Sequence, residues 1–200
     1  MIAIIDYGAG NIFSVKNALD YLGVENKLTA DKNEICAADE IILPGVGAFP
    51  WAMKMLRDSG LVDTIREEAR KKPFLGICLG MQLIFDKGYE FEETDGLRLI
   101  GGKVEKIDRK DMIIPHMGWN ELVINRDCPI LKGIPEHPYV YFVHSYAAVC
   151  DDANVSAYCD YGGKITALVH DGAYVYGAQF HPEKSGEVGL QMLRNFAELA

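Results

Sequence analysis

The sequence predicts an α/β fold: an open, mostly parallel twisted sheet with helices on both faces and an antiparallel section. Two patterns support this prediction. In the first half, short apolar runs alternate with stretches of helical periodicity, which is typical of βαβ units whose strands are buried on both faces. In the second half, strand-like segments follow one another with only short turns between them, which indicates antiparallel pairing.

The first half opens on the apolar run Ile2–Ile5, which predicts a buried strand. A loop over 6–11 follows, and its last residue, Asn11, is placed to cap the next helix. That helix has its apolar residues on one face and ends at Gly23. The other elements predicted here are strands over Val24–Thr29 and Glu40–Leu43, helices over Phe49–Arg57 and Leu61–Lys71, and a strand over Phe74–Ile77.

The second half is predicted to consist mainly of strands with short turns such as Tyr161-Gly162-Gly163 between them. The predicted strands are Lys103–Ile107, Glu121–Ile124, Tyr139–His144, Val155–Cys159, Ile165–Val169 and Tyr174–Phe180. A helix over Gly186–Ala200 closes the chain, because its apolar residues recur on one face. No repeat, low-complexity stretch or linker interrupts the 200 residues, so we expect a single domain over 1–200.

Composition narrows the possible partners and the compartment. The 20 basic and 29 acidic residues give a net charge of −9, which disfavours nucleic acid, since its phosphates require a positive surface. Five cysteines without a Cys-x-x-Cys pair indicate neither a disulfide framework nor a metal site, and they fit a reducing compartment. The N-terminal residues lack a signal-peptide pattern, and no apolar run approaches membrane-spanning length. We therefore expect a soluble, cytoplasmic protein without a membrane partner.

Cys78 is the strongest candidate for a catalytic residue. It lies in Gly76-Ile77-Cys78-Leu79-Gly80, directly after an apolar run. Glycines two residues before and two after a nucleophile are typical of a sharp turn from a strand into a helix, where only neighbours without side chains avoid collision. A lone cysteine in an apolar stretch is more often an ordinary core residue. A second motif therefore has to support the catalytic interpretation.

That second motif is His181-Pro182-Glu183. A thiol becomes a nucleophile when an imidazole accepts its proton, and a carboxylate commonly orients the imidazole. Pro182 favours an extended backbone at His181, and in an extended segment the side chains of His181 and Glu183 project to the same side. Cys78, His181 and Glu183 thus form a predicted catalytic triad.

Attack on an amide places negative charge on its oxygen, which backbone N–H groups stabilise. The N–H of Leu79, at the start of the helix after Cys78, is one predicted donor. A second is predicted from Val46 or Gly47 in the turn Pro44-Gly45-Val46-Gly47, although these glycines can also serve only the turn. Gly8-Ala9-Gly10 lacks the third glycine of a dinucleotide-binding fingerprint, so we expect no cofactor.

The segments Gly-Ile-Cys-Leu-Gly-Met-Gln at 76–82 and His-Pro-Glu-Lys-Ser at 181–185 resemble the class I glutamine amidotransferase family, which has a flavodoxin-like sheet. Three further segments narrow the resemblance to the glutaminase subunits of imidazole glycerol phosphate synthases. They are Asp-Tyr-Gly-Ala-Gly-Asn at 6–11, Pro-Gly-Val-Gly-Ala-Phe at 44–49 and Pro-His-Met-Gly-Trp-Asn at 115–120. The resemblance extends from the first residues to the last helix.

The resemblance implies that glutamine is hydrolysed through a γ-glutamyl thioester on Cys78, with release of ammonia and then glutamate. It assigns the α-amino and α-carboxylate end of glutamine to Gln82 and Glu90, together with the backbone around His144-Ser145-Tyr146. Gln82 is also placed by spacing, one helical turn after the nucleophile. For Glu90, a solvated surface carboxylate is nearly as good an interpretation.

We expect the ammonia to be consumed on another polypeptide, because no second domain or phosphate-binding helix start is evident in the sequence. The resemblance names a (β/α)₈ cyclase subunit that forms a heterodimer with such chains. That subunit converts a phosphoribulosyl formimino carboxamide ribonucleotide to imidazole glycerol phosphate and an aminoimidazole carboxamide ribonucleotide in histidine biosynthesis. Because ammonia in water is largely protonated, an enclosed passage between the subunits is expected.

Met117, Trp119 and Lys184 are the candidates for the surface that faces the partner. Large aromatic residues dominate such contacts, although Trp119 can also belong to the core. We further expect the chain alone to be nearly inactive, with the Val46–Gly47 peptide oriented for the oxyanion only when the partner and its ligand bind.

Three alternatives stay open at this point. The first is a glutaminase subunit of an anthranilate or aminodeoxychorismate synthase, which Met81 and the Pro-His-Met-Gly-Trp-Asn segment argue against. The second is a stand-alone γ-glutamyl hydrolase, which would be active without a partner. The third is a non-catalytic glutamine-binding regulatory subunit, which the intact triad argues against.

Overall fold

A computed structural model describes residues 1–200 of the protein. Its main sheet has eight strands. The strands of the whole protein are numbered in chain order. They are β1 Ile2–Ile5, β2 Asn26–Thr29, β3 Glu40–Gly45, β4 Phe74–Cys78, β5 Lys87–Gly88, β6 Thr94–Asp95, β7 Gly102–Lys106, β8 His116–Glu121, β9 Val123–Ile124, β10 Tyr139–His144, β11 Tyr146–Cys150, β12 Val155–Asp160, β13 Lys164–His170 and β14 Val175–Ala178.

The main sheet has the order β2-β1-β3-β4-β14-β13-β12-β9. Its first five strands are parallel, and β13, β12 and β9 continue it in antiparallel fashion. Two small sheets, β10-β8 and β11-β7-β5-β6, extend from it. The predicted fold class, with a parallel sheet and an antiparallel section, is therefore confirmed.

Helices cover both faces of the sheet. They are α1 Ile12–Tyr21, α2 Lys32–Ala37, α3 Phe49–Asp58, α4 Val62–Glu68, α5 Leu79–Leu83 and α6 Gly186–Ala197. Because side chains alternate along a strand, Ile4 joins the apolar core beneath α1 and α6, whereas Ile5 joins the core beneath α3 and α4. Burial of both faces explains why the parallel strands are continuous apolar runs.

Several local predictions were wrong. The structure has five elements that the sequence analysis missed: α2, capped by Asp31, and the strands β5, β6, β8 and β11. The predicted strand Glu121–Ile124 is divided between β8 and β9, and the last helix ends at Ala197 rather than Ala200. Asn11 does precede α1, but its side chain accepts a hydrogen bond from the Ser14 hydroxyl at 2.8 Å instead of capping a backbone N–H.

Glu40 is a buried carboxylate at the opposite edge of the sheet from the carboxyl ends of the parallel strands. It is only 2% exposed, and its Oε1 has no hydrogen-bond partner. Burial raises the pKa of Glu40 to about 7, although the chain's N-terminal charge and the N–H groups of Leu199 and Ala200 act against this. Ionising this group in the folded protein therefore costs free energy.

Because ionising Glu40 has this cost, we expect the free energy of unfolding to decrease as the pH rises. A carboxyl group with a higher pKa in the folded state destabilises the protein once the pH rises from the unfolded pKa through the folded value of about 7. The Glu40→Gln variant should gain about 2 kcal/mol relative to the natural chain between pH 5 and pH 8, as measured by urea unfolding. The exposed Glu25, replaced by Gln, is the matched control; an equal gain there would contradict the assignment.

Candidate active site

Cys78 stands at the turn from β4 into α5. Its backbone has φ 55° and ψ −110°, a conformation that non-glycine residues rarely adopt. Such strain costs about 1–3 kcal/mol and persists only where the surrounding structure holds it. The residue is 7% exposed, and its Sγ lies at the carboxyl edge of the parallel sheet, 4.0 Å from the carbonyl oxygen of Val143.

Gly76 and Gly80 are required by close backbone approach. A Cβ on Gly76 would lie 2.6 Å from the carbonyl oxygen of Gly80, and a Cβ on Gly80 would lie 1.8 Å from the carbonyl oxygen of Leu43. Neither distance is possible for a real side chain. The two glycines therefore let α5 fold back onto β4 and β3, which is the physical basis of the Gly-x-Cys-x-Gly spacing.

His181 and Glu183 are hydrogen-bonded side chain to side chain. The distance from His181 Nδ1 to Glu183 Oε1 is 2.8 Å, and both side chains are almost fully buried. The predicted extended segment was wrong beyond His181, because Pro182–Lys184 form a 3₁₀ turn. His181 itself is extended, with φ −100° and ψ 98°, and the turn brings the carboxylate back to the ring. Glu183 Oε2 has no partner.

The environment of His181 favours the charged imidazolium. Burial lowers the pKa of His181, but hydrogen bonding and charge interactions with Cys78 and Glu183 outweigh burial and raise the pKa to about 9. The ring is therefore able to hold a proton beside the Cys78 sulfur at neutral pH. A thiolate paired with an imidazolium is the nucleophilic form of a cysteine.

A cleft of about 330 Å³ opens above Cys78 and His181. It is lined by Val46, Gly47, Cys78, Leu79, Gln82, Glu90, Pro115, Val143, His144, Ser145, Tyr146, His181 and Lys184. Residues from five distant parts of the sequence thus meet at one place. All residues predicted to act in catalysis, oxyanion binding or substrate binding line the cleft, except Glu183. Glu183 lies behind His181, to which it is hydrogen-bonded.

Gln82 is held rigidly in the cleft wall. Its Nε2 donates to the carbonyl oxygen of Tyr146 at 2.9 Å and to Gln179 Oε1 at 3.0 Å. Both of these bonds use the amide nitrogen, so the amide oxygen stays available as an acceptor. Gln82 is 5% exposed, and the two bonds fix its orientation.

Glu90 is half-buried and lines the cleft, so it is not a solvated surface carboxylate. Its Oε2 accepts a hydrogen bond from the backbone N–H of Phe49 at 2.8 Å. Phe49 is the first residue of α3, whose N-terminus favours a negative charge. The carboxylate is therefore held in place at the cleft wall.

His144 differs from His181 in its protonation. Burial lowers the pKa of His144 to about 4, so its ring is neutral. Its Nδ1–H donates to the carbonyl oxygen of Tyr146 at 2.8 Å, and its Nε2 lies 2.9 Å from Nδ1 of the buried His116. Burial also lowers the pKa of His116. The pair braces the strand ends around Ser145, whose backbone borders the cleft.

Met117 and Trp119 lie on β8 outside the cleft, with 60% and 53% of their surface exposed. Trp119 is therefore not a core residue. The outer edge of its ring would lie 3.9 Å from a Cβ on Gly186, directly after the turn that carries Lys184. Of the three residues predicted for the partner surface, Lys184 lines the cleft, Met117 pairs with the lining residue Val143, and Trp119 lies near the turn that carries Lys184.

Gln179, Val143 and Pro115 belong to the site but were missed by sequence reasoning. Gln179 is fully buried, and its Nε2 lies 4.0 Å from Cys78 Sγ while its Oε1 accepts from Gln82. A fully polar side chain inside an apolar strand, two residues before His181, was a usable signal. Val143 and Pro115 carry no such signal, because their contribution depends on how β10 and the loop before β8 are placed.

The family model for glutamine amidotransferase class-I matches residues 3–199. The chain belongs to the class-I glutamine amidotransferase family. The predicted family is thereby confirmed, and a triad of Cys, His and Glu in this glutamine amidotransferase is consistent with it.

Curated relatives narrow the position of this glutamine amidotransferase within the family. It is 51% identical to the imidazole glycerol phosphate synthase subunit HisH of Bacillus cereus (strain G9842) over 98% of this chain and 93% of that relative. The HisH subunit of Bacillus anthracis (strain A0248) matches at the same identity and coverage, and that of Bacillus thuringiensis (strain Al Hakam) is 50% identical.

Solved structures support the fold. One described as a glutamine amidotransferase has a TM-score of 0.77 at 22% identity, covering 100% of this chain and 98% of that one. PurLQS from Thermotoga maritima has a TM-score of 0.74 at 22% identity, covering 98% and 96%. At this identity the likeness concerns the fold alone.

Two further structural findings concern metals and membranes. No three His, Cys, Asp or Glu side chains are grouped so that they could hold a metal ion. None of the helices combines the length and the apolar character that crossing a membrane requires.

The pairing of Cys78 with His181 predicts a titration experiment. Replacing Cys78 by Ala removes one of the two groups whose interactions raise the pKa of His181, while burial continues to lower it. We therefore expect the pKa of His181 to fall from about 9 in the natural chain to a lower value in Cys78→Ala, as followed by NMR of the imidazole ring. Replacing the buried Cys159 by Ala is the control, and an unchanged His181 pKa in Cys78→Ala would contradict the pairing.

Proposed function

We propose that this glutamine amidotransferase is the glutaminase subunit of an imidazole glycerol phosphate synthase and acts in histidine biosynthesis. Two observations together support this proposal. The chain shares 51% identity with HisH subunits over 98% of its length, and its cleft unites Cys78, His181 and two candidate oxyanion-binding segments. Cytoplasmic location and one domain over 1–200 are part of the proposal.

The first chemical step forms a bond between Cys78 and glutamine. The Cys78 thiolate attacks the side-chain amide carbon, and the carbonyl electron pair moves onto the oxygen. Backbone N–H groups of Leu79 and of Val46 or Gly47 bind that oxyanion, because both segments border the cleft. His181 then gives its proton to the amide nitrogen, the carbon–nitrogen bond breaks, and ammonia leaves a γ-glutamyl thioester on sulfur.

The second step restores the enzyme. A water molecule attacks the thioester carbon and gives a proton to neutral His181, whose orientation Glu183 maintains through the 2.8 Å hydrogen bond. The carbon–sulfur bond then breaks, which releases glutamate and regenerates the thiolate beside the imidazolium. No cofactor enters either step.

Gln82, Glu90 and the backbone of His144-Ser145-Tyr146 bind the amino-acid end of glutamine in this proposal. Glu90 offers a carboxylate and Gln82 offers an amide oxygen, and both suit the α-ammonium group. Backbone N–H groups near Ser145 suit the α-carboxylate. His144 contributes through its backbone and not as a second base, since burial keeps its ring neutral.

The partner in this proposal is a (β/α)₈ cyclase subunit, which forms a heterodimer with this chain and receives the ammonia through an enclosed passage. Met117 and Trp119 support a docking surface at the cleft rim, because monomeric surfaces rarely expose large apolar side chains next to one another. Lys184 lines the cleft itself, and Trp119 is close to Gly186, two residues further along the chain.

The turn Pro44–Gly47 supports control by that partner. Val46 is 44% exposed, and nothing lies within 4 Å of the Cβ position of Gly47. The Val46–Gly47 peptide therefore has room to rotate, whereas Gly45 is packed against Leu79 and Gly80. Partner binding that favours one orientation would raise the rate of hydrolysis by completing the oxyanion hole.

We expect glutamate release from glutamine to be low for the chain alone. With a cyclase subunit and its formimino carboxamide ribonucleotide, the rate should rise about 100-fold, since one oxyanion donor contributes about 10²–10³ to kcat. Enzymatic measurement of glutamate, with Cys78→Ala as the blank, tests this.

Each outcome is informative. A high rate without the partner would indicate a stand-alone γ-glutamyl hydrolase. No activation by this cyclase, together with activation by an anthranilate or aminodeoxychorismate synthase partner, would assign the chain to another amidotransferase. No hydrolysis in any combination would leave only the glutamine-binding regulatory subunit.

A further inference from the structure

Tyr7 has a buried hydroxyl that makes no hydrogen bond in the structure. The residue follows β1 and is 5% exposed, yet its Oη has no hydrogen-bond partner. A buried hydroxyl without a partner costs free energy, and Phe would fill the same space without that cost. Burial, followed by the charge of Cys78, raises the pKa of Tyr7, so the group remains a protonated donor.

The hydroxyl lies where the two candidate oxyanion-binding segments meet. A Cβ on Gly45 would be 2.7 Å from the nitrogen of Gly80, 3.0 Å from the Cβ of Leu79 and 3.1 Å from Tyr7 Oη. Gly45 directly precedes Val46 and Gly47, the part of the turn that borders the cleft, and Leu79 carries the other predicted N–H donor. Tyr7 Oη thus faces the joint between them.

The loop that carries Tyr7 also packs along the backbone of this turn. A Cβ on Gly10 would lie 3.4 Å from the carbonyl carbon of Pro44 and 3.5 Å from the nitrogen of Gly45. Gly10 and Tyr7 therefore both face the backbone of Pro44 and Gly45, while the space around Gly47 stays empty. Pro44 and Gly45, the packed part of the turn, therefore border the hydroxyl, whereas Val46 and Gly47 border the cleft.

Rotation of a peptide unit moves its N–H and its carbonyl in opposite directions, because the unit is planar. When a peptide of the turn directs its N–H toward the oxyanion, its carbonyl turns away from the cleft. A carbonyl that turns toward the packed backbone of Pro44 and Gly45 requires a donor there. Tyr7 Oη–H is a donor without an acceptor, next to this backbone.

We propose that Tyr7 is a positioning residue that donates a hydrogen bond to a backbone carbonyl of the turn Pro44–Gly47 when the turn completes the oxyanion hole. The hydroxyl stabilises the active orientation, and in the structure it has no partner. The inference rests on the proposed glutaminase function. It assigns Tyr7 an effect on the rate of the chemical step and not on glutamine binding.

Tyr7→Phe tests this in the complex with a cyclase subunit and its formimino carboxamide ribonucleotide. We expect kcat for glutamate release to fall about tenfold, while KM for glutamine stays within about twofold, because the lost interaction forms only in the active state. Urea unfolding of the chain alone should show no loss of stability, since the hydroxyl has no partner there.

Two controls separate this role from ordinary packing. Tyr176→Phe removes the hydroxyl of another buried tyrosine, on β14, and should leave kcat unchanged. The rate of Cys78 alkylation by iodoacetamide, which requires a thiolate but no oxyanion hole, should be equal in Tyr7→Phe and in the natural chain.

The outcomes distinguish the two proposals. If the natural complex is activated and the kcat of Tyr7→Phe lies within about twofold of its kcat, the role of Tyr7 is overturned but the proposed function is not. A fall in kcat with a parallel loss of stability would overturn that role too, since the hydroxyl would then be an ordinary structural partner. Slower alkylation in step with kcat would place its effect on the thiol instead. A natural complex without activation would overturn the proposed function and this inference with it.

Discussion

The contact between Gly80 and the backbone of Leu43 is the constraint on which the rest of the site depends. A Cβ at Gly80 would lie only 1.8 Å from the carbonyl oxygen of Leu43, so α5 approaches β3 as closely as a bare backbone allows. This approach holds Cys78 in its unfavourable φ and places the first N–H groups of α5 beside the turn after β3. The predicted nucleophile and the candidate oxyanion donors therefore share one location.

Two buried histidines in one site illustrate how environment assigns chemical roles. Interactions with Cys78 and Glu183 raise the pKa of His181 to about 9, whereas burial, together with the charges of His116 and His181, lowers the pKa of His144 to about 4. One ring can therefore exchange protons during hydrolysis, and the other serves as a fixed neutral donor to Tyr146. Residue type alone does not distinguish them; the presence of a carboxylate and a thiol does.

Much of this site could be predicted because its motifs express local constraints. Glycines at 76 and 80 indicate the sharp turn at Cys78, and His181 and Glu183 are close in sequence. The missed parts depend on tertiary placement. Gln179 acts through contacts with Gln82 and Cys78, and β8 lacks the apolar alternation that marks a strand. The turn at Pro182 replaced the expected extended segment because a 3₁₀ conformation suits proline in its first turn.

Trapping the covalent intermediate would identify the residue that attacks glutamine. The complex with a cyclase subunit and its ribonucleotide would be quenched in acid during glutamine turnover and digested, and the peptides would be examined by mass spectrometry. We expect a γ-glutamyl adduct on the peptide that contains Cys78 and on no peptide with Cys36, Cys128, Cys150 or Cys159. Turnover without an adduct on Cys78, or turnover that persists in Cys78→Ala, would contradict this expectation.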